Sequence, residues 1–393
     1  SQVDDFRAVV AQQRQLVRQL RQAKYVDVID GMDQIQVIEG RARVCSADAI
    51  EVAGRVLRGD AVLIATGSAP WVPPIAGIEA VPYLTTESIF AIERLPRSLV
   101  VVGGRYVALE LAQMFARFGT RVTILQRSAR ILPGEAPALT DALAGYLRGE
   151  GVDIVTGVHV QRVAADDGDA IVTALVGGES RELRGERLLL ATGRRANTAD
   201  LALQAVGVAV DAAGFISVDE TLRTSCPGIY AAGDVIGEPM YVYTAAYEGA
   251  LAAENAIAGT ERRRDYTGLP WVIFTDPQLA SVGLDEEQAR AAGHNAQAAT
   301  VSLSAVPRAI AARDTRGFIT LVRDRATDHL LGARILAPEG GELLMEIALA
   351  IRHRIRSREI ATAFHPYLTL GEGVKLAALA FEKDVSRLSC CAS

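Results

Sequence analysis

Along the 393 residues the apolar positions alternate between two patterns. Short unbroken runs of Val, Leu and Ile, closed by Gly or polar turns, read as strands buried on both faces. Longer stretches with apolar residues three and four apart read as helices with one buried stripe. The two patterns meet most clearly in residues 99–127, LVVVGGRYVALELAQMFARFGTRVTILQR. Residues 99–102 predict a strand ended by Gly103-Gly104. Val107, Leu111, Met114, Phe115 and Phe118 predict a helix over 106–118, stopped by Gly119, and 122–125 predict a second strand.

The rest of the chain is read in the same way. Residues 1–24 predict a helix, and 36–39, 43–45 and 50–52 short strands. Residues 60–70, DAVLIATGSAP, predict a strand running into Ala65-Thr66-Gly67, followed by a Pro-rich crossover loop over 71–82. Residues 137–150 predict a helix and 152–155 a strand, while 158–164, 170–176 and 182–184 predict a small antiparallel sheet. Residues 187–197, RLLLATGRRAN, repeat the strand-plus-Ala-Thr-Gly device. A strand in 226–235 runs into Gly233-Asp234, and 242–258 predict a helix. Beyond residue 267 the character changes. Strands at 271–274, 279–283, 298–304, 318–323 and 330–336 mix with helices at 285–292, 341–352 and 357–363, an α+β domain without a βαβ repeat.

The βαβ unit carries the first chemistry. Its tight turn and helix N-terminus aim backbone N–H groups and a positive dipole end at a pyrophosphate, or else it is a plain α/β core turn. The match to G-x-G-x-x-G places Gly103 first, Arg105 second and Ala108 third, so the second position departs from the pattern. After the second strand stand Gln126, Arg127 and Arg130, with no carboxylate for ribose hydroxyls. That favours the 2′-phosphate of NADPH, the alternative being a solvated basic turn. Asp234 can accept from ribityl hydroxyls or simply cap the following segment.

Composition narrows the classes. A net charge of −6, with Arg262-Arg263-Arg264 as the one basic cluster, argues against nucleic acid as a partner. There is no apolar run of about 18 residues, so no membrane span is expected. Residues 1–24 resemble neither a signal peptide nor a transit sequence, and four cysteines suit a reducing compartment; a cytoplasmic location is expected. Cys45 and Cys226 are isolated and expected to be packing residues, whereas Cys390-Cys391 form a vicinal pair near the end. Such a pair on a terminal tail either handles a soft metal, is incidental, or simply oxidises.

Together these pieces resemble the flavoprotein disulfide reductases with two dinucleotide sites. The resemblance rests on Ala65-Thr66-Gly67, the βαβ turn with Glu110, Ala191-Thr192-Gly193-Arg194 with Asn197, Ala232-Gly233-Asp234, and Phe274-Thr275-Asp276-Pro277 with Val282-Gly283. Within that family the mercuric reductase branch fits best. It is matched by Val306-Pro307-Arg308-Ala309, Asp314-Thr315-Arg316-Gly317-Phe318, His365-Pro366-Tyr367-Leu368-Thr369 with Glu372-Gly373, Phe381-Glu382-Lys383-Asp384-Val385, and the Cys390-Cys391 tail.

The resemblance implies an α/β fold: a partial FAD-binding domain and a Rossmann-like NADP-binding domain, followed by an α+β dimerisation domain. It divides the chain into 1–96 (FAD), 97–215 (NADP), 216–266 (return to FAD) and 267–393 (interface). It implies an NADPH-dependent enzyme in which electrons pass through FAD and an inner thiol pair to Hg(II), giving Hg(0). Cys390 and Cys391 would be the metal-binding pair, acting at the active site of the partner in a homodimer, with Tyr25 and Tyr367 as active-site tyrosines. FAD contacts would come from Ala42, Thr66, Gly67, Asp234 and Val242. Gly103, Gly104, Glu110, Arg127, Arg130 and Gly193 complete the cofactor-binding set. The alternative for each tyrosine is an ordinary half-buried residue.

Two departures matter. The family's first glycine-rich FAD motif and its C-x-x-x-x-C pair are not in these residues, so the stretch is expected to be an N-terminally shortened part of the enzyme and inactive alone. His365-Pro366 is present, but Tyr367 follows it and Glu372 stands two places later than the disulfide-reductase pattern expects, so the His–Glu pairing of that pattern is not carried over. A lipoamide-dehydrogenase-like reductase and a non-enzymatic, thiol-bearing metal-binding dimer are the competing readings.

Overall fold

The computed structural model describes residues 5–385. At its centre is a five-stranded parallel sheet, in the order Tyr83–Leu84, Arg187–Leu190, Ser98–Val102, Arg121–Gln126, Asp153–Thr156. Its central strand explains its own sequence. Leu99 and Val101 pack on one face with Ala108, Leu111 and Phe115 of the Tyr106–Arg117 helix and Leu139 and Leu143 of the Pro137–Gly149 helix. Val100 and Val102 pack on the other face with Val163 and Val172. Those two valines belong to an antiparallel meander, Val158–Asp166, Asp169–Val176 and Glu179–Gly185, that backs the sheet. With both faces covered, every position of the strand is apolar or small.

Residues 270–337 form a second five-stranded sheet, antiparallel throughout: Pro270–Ile273, Gln278–Gly283, Leu330–Ala337, Phe318–Asp324, Ala296–Ser302. Helices Leu344–Arg352 and Glu372–Leu379 cover one face, through Ile347, Val374 and Ala377. Ile273, Leu279 and Leu336 join the core of the parallel sheet instead, so the two units share one apolar seam. Two small pairings each join a strand that precedes the parallel sheet to one that follows it. Val62–Ile64 runs parallel to Ile229–Ala231, and Ser68–Pro70 antiparallel to Arg194–Ala196. A meander of Ala42–Ser46, Ala49–Val52 and Arg55–Arg58 precedes them. Leu63, on the two-stranded pairing, keeps 40% of its surface exposed.

Several expectations need correction. Residues 36–39 form no strand: Val37 is exposed and no neighbouring strand pairs with it, so the apolar alternation there has nothing to pack on. The first helix does not stop before Tyr25. It runs Phe6–Arg21, then passes through a π turn, Gln22–Val26, that contains Tyr25, and on into Asp27–Asp30. Cys45 is exposed rather than packed, because Val44 takes the inward position of its strand; Cys226 is half-buried against the core around Ile64 and Ile229. Val107, expected from its spacing in the apolar stripe of its helix, is 38% exposed, the buried face being formed by Ala108, Leu109, Leu111, Ala112 and Phe115. Helices Pro307–Ala312 and Glu372–Leu379, unforeseen in the pattern, complete the C-terminal unit. Among the described residues no helix is long and apolar enough to cross a membrane.

Candidate functional site

The dinucleotide turn is built by backbone contact. Gly103 has φ +124°, and a Cβ there would stand 2.2 Å from the Ala191 carbonyl oxygen. A Cβ on Gly104 would stand 3.0 Å from the Gln126 side chain. Gly103 therefore demands glycine, for its dihedral and for its close approach to backbone, whereas a side chain at Gly104 would require the Gln126 side chain to shift. Arg105, the departure from the motif, has an extended backbone (φ −105°, ψ −168°) and an exposed side chain. It is the N-cap of the Tyr106–Arg117 helix and makes no side-chain capping bond, and the first turn holds no acidic residue. The N-terminal amides and the positive end of the dipole are left for a ligand. Ala108, third in the motif, is fully buried where helix meets strand.

The loop after the second strand folds back on this turn. The Leu132 amide donates to the Gly104 carbonyl at 3.0 Å, and Gln126 Nε2 donates to the Arg130 carbonyl at 3.4 Å. Gln126 is buried, Arg127 exposed and Arg130 half-buried. Arg105, Arg127 and Arg130 form no ion pair with another described residue. The turn, the open helix N-terminus and uncommitted cations without a carboxylate fit a dinucleotide carrying a 2′-phosphate.

The two Ala-Thr-Gly turns are stitched to each other. Thr66 Oγ1 donates to the Asn197 carbonyl at 2.9 Å, Asn197 Nδ2 donates to the Thr66 carbonyl at 2.9 Å, and the Asn197 amide donates to the Gly67 carbonyl at 3.0 Å. Gly67 (φ +68°) and Gly193 (φ +112°) make the bends. The Trp71 amide donates to the Gly193 carbonyl at 2.9 Å. Arg194 Nε donates to Ser68 Oγ at 2.6 Å, and Ser68 Oγ donates to Asp234 Oδ2 at 2.8 Å. Asp234 is thus joined to both turns and remains partly exposed. Behind it, Glu248 is buried and accepts from the Gly233 amide at 2.7 Å.

Val242 opens the Val242–Ala258 helix with its side chain 83% exposed, and Ala42 opens its strand half-buried, paired with Val52. The carboxylate of Asp234 beside an exposed helix start fits the ribityl and ring side of a flavin nucleotide. No second glycine-rich βαβ unit for its diphosphate lies within these residues.

The remaining residues are dispersed. Glu110, on the nucleotide helix, accepts from the Phe274 amide at 2.8 Å, and burial raises its carboxyl pKa above the ordinary range. Tyr25 and Tyr367 are each 62% exposed and share no hydrogen bond or ring contact with one another. His365, left without a carboxylate by the sequence pattern, has one after all. Its side chain is 7% exposed and its Nε2 lies 3.0 Å from Glu346 Oε1, on the Leu344–Arg352 helix. Glu372 does not take that place; its buried Oε2 has no hydrogen-bond partner among the described residues. No sequence signal linked Glu346 to His365, because a helix and a loop intervene. Cys390 and Cys391 lie outside the described residues. Among those residues no cluster of three or more His, Cys, Asp or Glu could hold a metal.

A two-Gly turn on a parallel sheet, two Ala-Thr-Gly turns hydrogen-bonded to each other, and an antiparallel sheet packed on the same core together define a dinucleotide-dependent oxidoreductase. The family model of pyridine nucleotide-disulphide oxidoreductases matches residues 3–249, and the dimerisation domain of the same family matches 269–378. The chain belongs to the pyridine nucleotide-disulphide oxidoreductases, whose cofactors are FAD and NADPH.

A mercuric reductase of Acidithiobacillus ferrooxidans is 43% identical over 390 residues, covering 98% of this chain and 70% of that protein. One of Streptomyces lividans is 43% identical over 394 residues, covering 99% and 82%. Among solved structures, the HOCl-induced flavoprotein disulfide reductase RclA of Escherichia coli superposes with a TM-score of 0.88 at 30% identity, over 95% of this chain and 86% of that one.

Proposed function

We propose that this chain serves the NADPH-dependent reduction of Hg(II) to Hg(0). The observation that carries the reading is that mercuric reductases match it over 98% of its length at 43% identity. NADPH would supply the two reducing electrons and FAD would relay them when bound. On this reading Gly103, Gly104, Glu110, Arg127, Arg130 and Gly193 belong to the nucleotide side, and Ala42, Thr66, Gly67, Asp234 and Val242 to the flavin side. The division into 1–96, 97–215, 216–266 and 267–393 follows the same assignment.

Cys390 and Cys391 collect the metal. Hg(II) is soft and takes two thiolates in near-linear coordination, so a vicinal pair can bind it and pass it on by ligand exchange. In the homodimer the tail of one subunit delivers to the site of the other, and Tyr25 and Tyr367 orient the transfer. No C-x-x-x-x-C occurs among the four cysteines, so these 393 residues taken alone are proposed to be inactive. A cytoplasmic location is proposed with the function, where thiols stay reduced.

A second reading, reduction of an organic disulfide, is favoured by the likeness to RclA and by the pairing of the buried His365 side chain with the partly exposed Glu346, an arrangement suited to a thiol acid–base partner. One assay separates the two. Joined to a segment that supplies a C-x-x-x-x-C pair and a glycine-rich βαβ unit, the chain should oxidise NADPH with Hg(II) and not with lipoamide; alone it should do neither. Lipoamide turnover in the joined protein, or Hg(II)-dependent NADPH oxidation by the chain alone at enzymatic rate, overturns the reading.

A further inference from the structure

We propose that Arg105 binds the diphosphate of the nicotinamide cofactor, so that this chain replaces a motif glycine by a cation that reads the group common to NADPH and NADH. The proposal rests on the dinucleotide site assigned above and adds a residue to it. Three observations carry it. The close approaches in the turn fall at Gly103, against the Ala191 backbone, and at Gly104, against the Gln126 side chain. The backbone of Arg105 is extended, a conformation open to any residue, so the departure from the motif carries no backbone strain.

Among the described residues the guanidinium has no competing partner. Arg105 forms no ion pair with another described residue. Two carboxylates, Glu135 and Glu238, lie close enough for their fields to act on the neighbouring Tyr106, but neither pairs with Arg105, and Glu135 is held by Arg334 at 3.1 Å.

The third observation is electrostatic. Arg105 is the N-cap of a twelve-residue helix with no acidic residue in its first turn. A cation there opposes the helix dipole and is unfavourable in the free chain. An anion bound at the same amides removes that repulsion and gains a charge-assisted hydrogen bond. Arg127 and Arg130 follow the second strand, which ends at Gln126, and on the proposed assignment they meet the 2′-phosphate. The cations thus divide the cofactor: Arg105 takes the shared diphosphate, and Arg127 with Arg130 the group that distinguishes NADPH.

The test is a titration of the purified chain with NADPH and with NADH, in wild type, R105A, R105K and R127A/R130A, with thermal unfolding of each variant. R105A is expected to weaken both cofactors by a similar factor, about tenfold, the size of one charge-assisted contact. R105K should fall between R105A and wild type, whereas R127A/R130A should lose NADPH selectively. Free R105A should melt at or above the wild-type temperature and be stabilised less by NADPH. Unchanged binding of both cofactors by R105A, or a loss confined to NADPH, overturns the assignment to the diphosphate. A wild-type chain that binds neither cofactor overturns the underlying site and this proposal with it, a result distinct from wild-type binding that is indifferent to Arg105.

Discussion

Glu110 accepts a hydrogen bond from the Phe274 amide at 2.8 Å across 164 residues, tying the nucleotide helix to the start of the C-terminal sheet. Phe274 itself is 70% exposed, so the tie is made by backbone and not by its ring. Burial raises the Glu110 carboxyl, and a group with a raised folded-state pKa favours the fold most when protonated. Its contribution is fully present below the unfolded-state value near 4.3 and is lost as pH rises through the raised value. Glu135 is shifted in the same direction, with burial as the largest cause. E110Q keeps an acceptor oxygen and removes the titration. It should flatten the fall in stability just above pH 4, read from urea midpoints across pH, while E110A should lose about 1 kcal/mol of the tie.

A second tie is ionic and buried. Arg334, 5% exposed, reaches from the antiparallel sheet to Glu135 at 3.1 Å and to Gln288 at 2.9 Å. Removing one partner of such a pair strands the other. R334M should therefore destabilise the chain by roughly 3–5 kcal/mol in denaturant unfolding, and the double variant R334M/E135L should recover part of that loss.

The turn itself is the least tolerant point of the nucleotide site. G103A would bring a methyl group within 2.2 Å of the Ala191 oxygen at a φ that L-residues avoid. It should abolish NADPH binding in a titration. Substitution at Gly134, where the added Cβ meets nothing within 4 Å, should leave binding intact.

For Arg127 and Arg130 the prediction is selectivity. Replacing both by Ser should weaken NADPH by about tenfold or more and leave NADH within about twofold, since only one of the two carries the 2′-phosphate. Equal losses in the two titrations would remove the 2′-phosphate assignment.

The parallel unit was legible because burial on both faces leaves an unmistakable run. Leu99 and Val101 face one core, Val100 and Val102 the other, and no polar residue interrupts them. The α+β character of the C-terminal unit was legible for a related reason, since its strands are bounded by turn residues. Residues 36–39 misled because alternation predicts a strand only where a neighbour exists to pair with it. The exposure of Cys45 turned on which strand residues point inward, a matter of one-residue register. The ties through Glu110, Arg334 and His365 were not legible at all. Each joins groups far apart in the chain, and nothing local marks Glu346 as the partner of His365 or Glu135 as that of Arg334.

The proposed binding of Hg(II) by Cys390 and Cys391 is tested most directly by titrating the reduced protein with Hg(II) against a competing small thiol. One tightly held Hg(II) per chain is expected, lost in C390A/C391A and retained in C45A/C226A. Tight binding that survives C390A/C391A, or no binding that withstands the competing thiol, would contradict it.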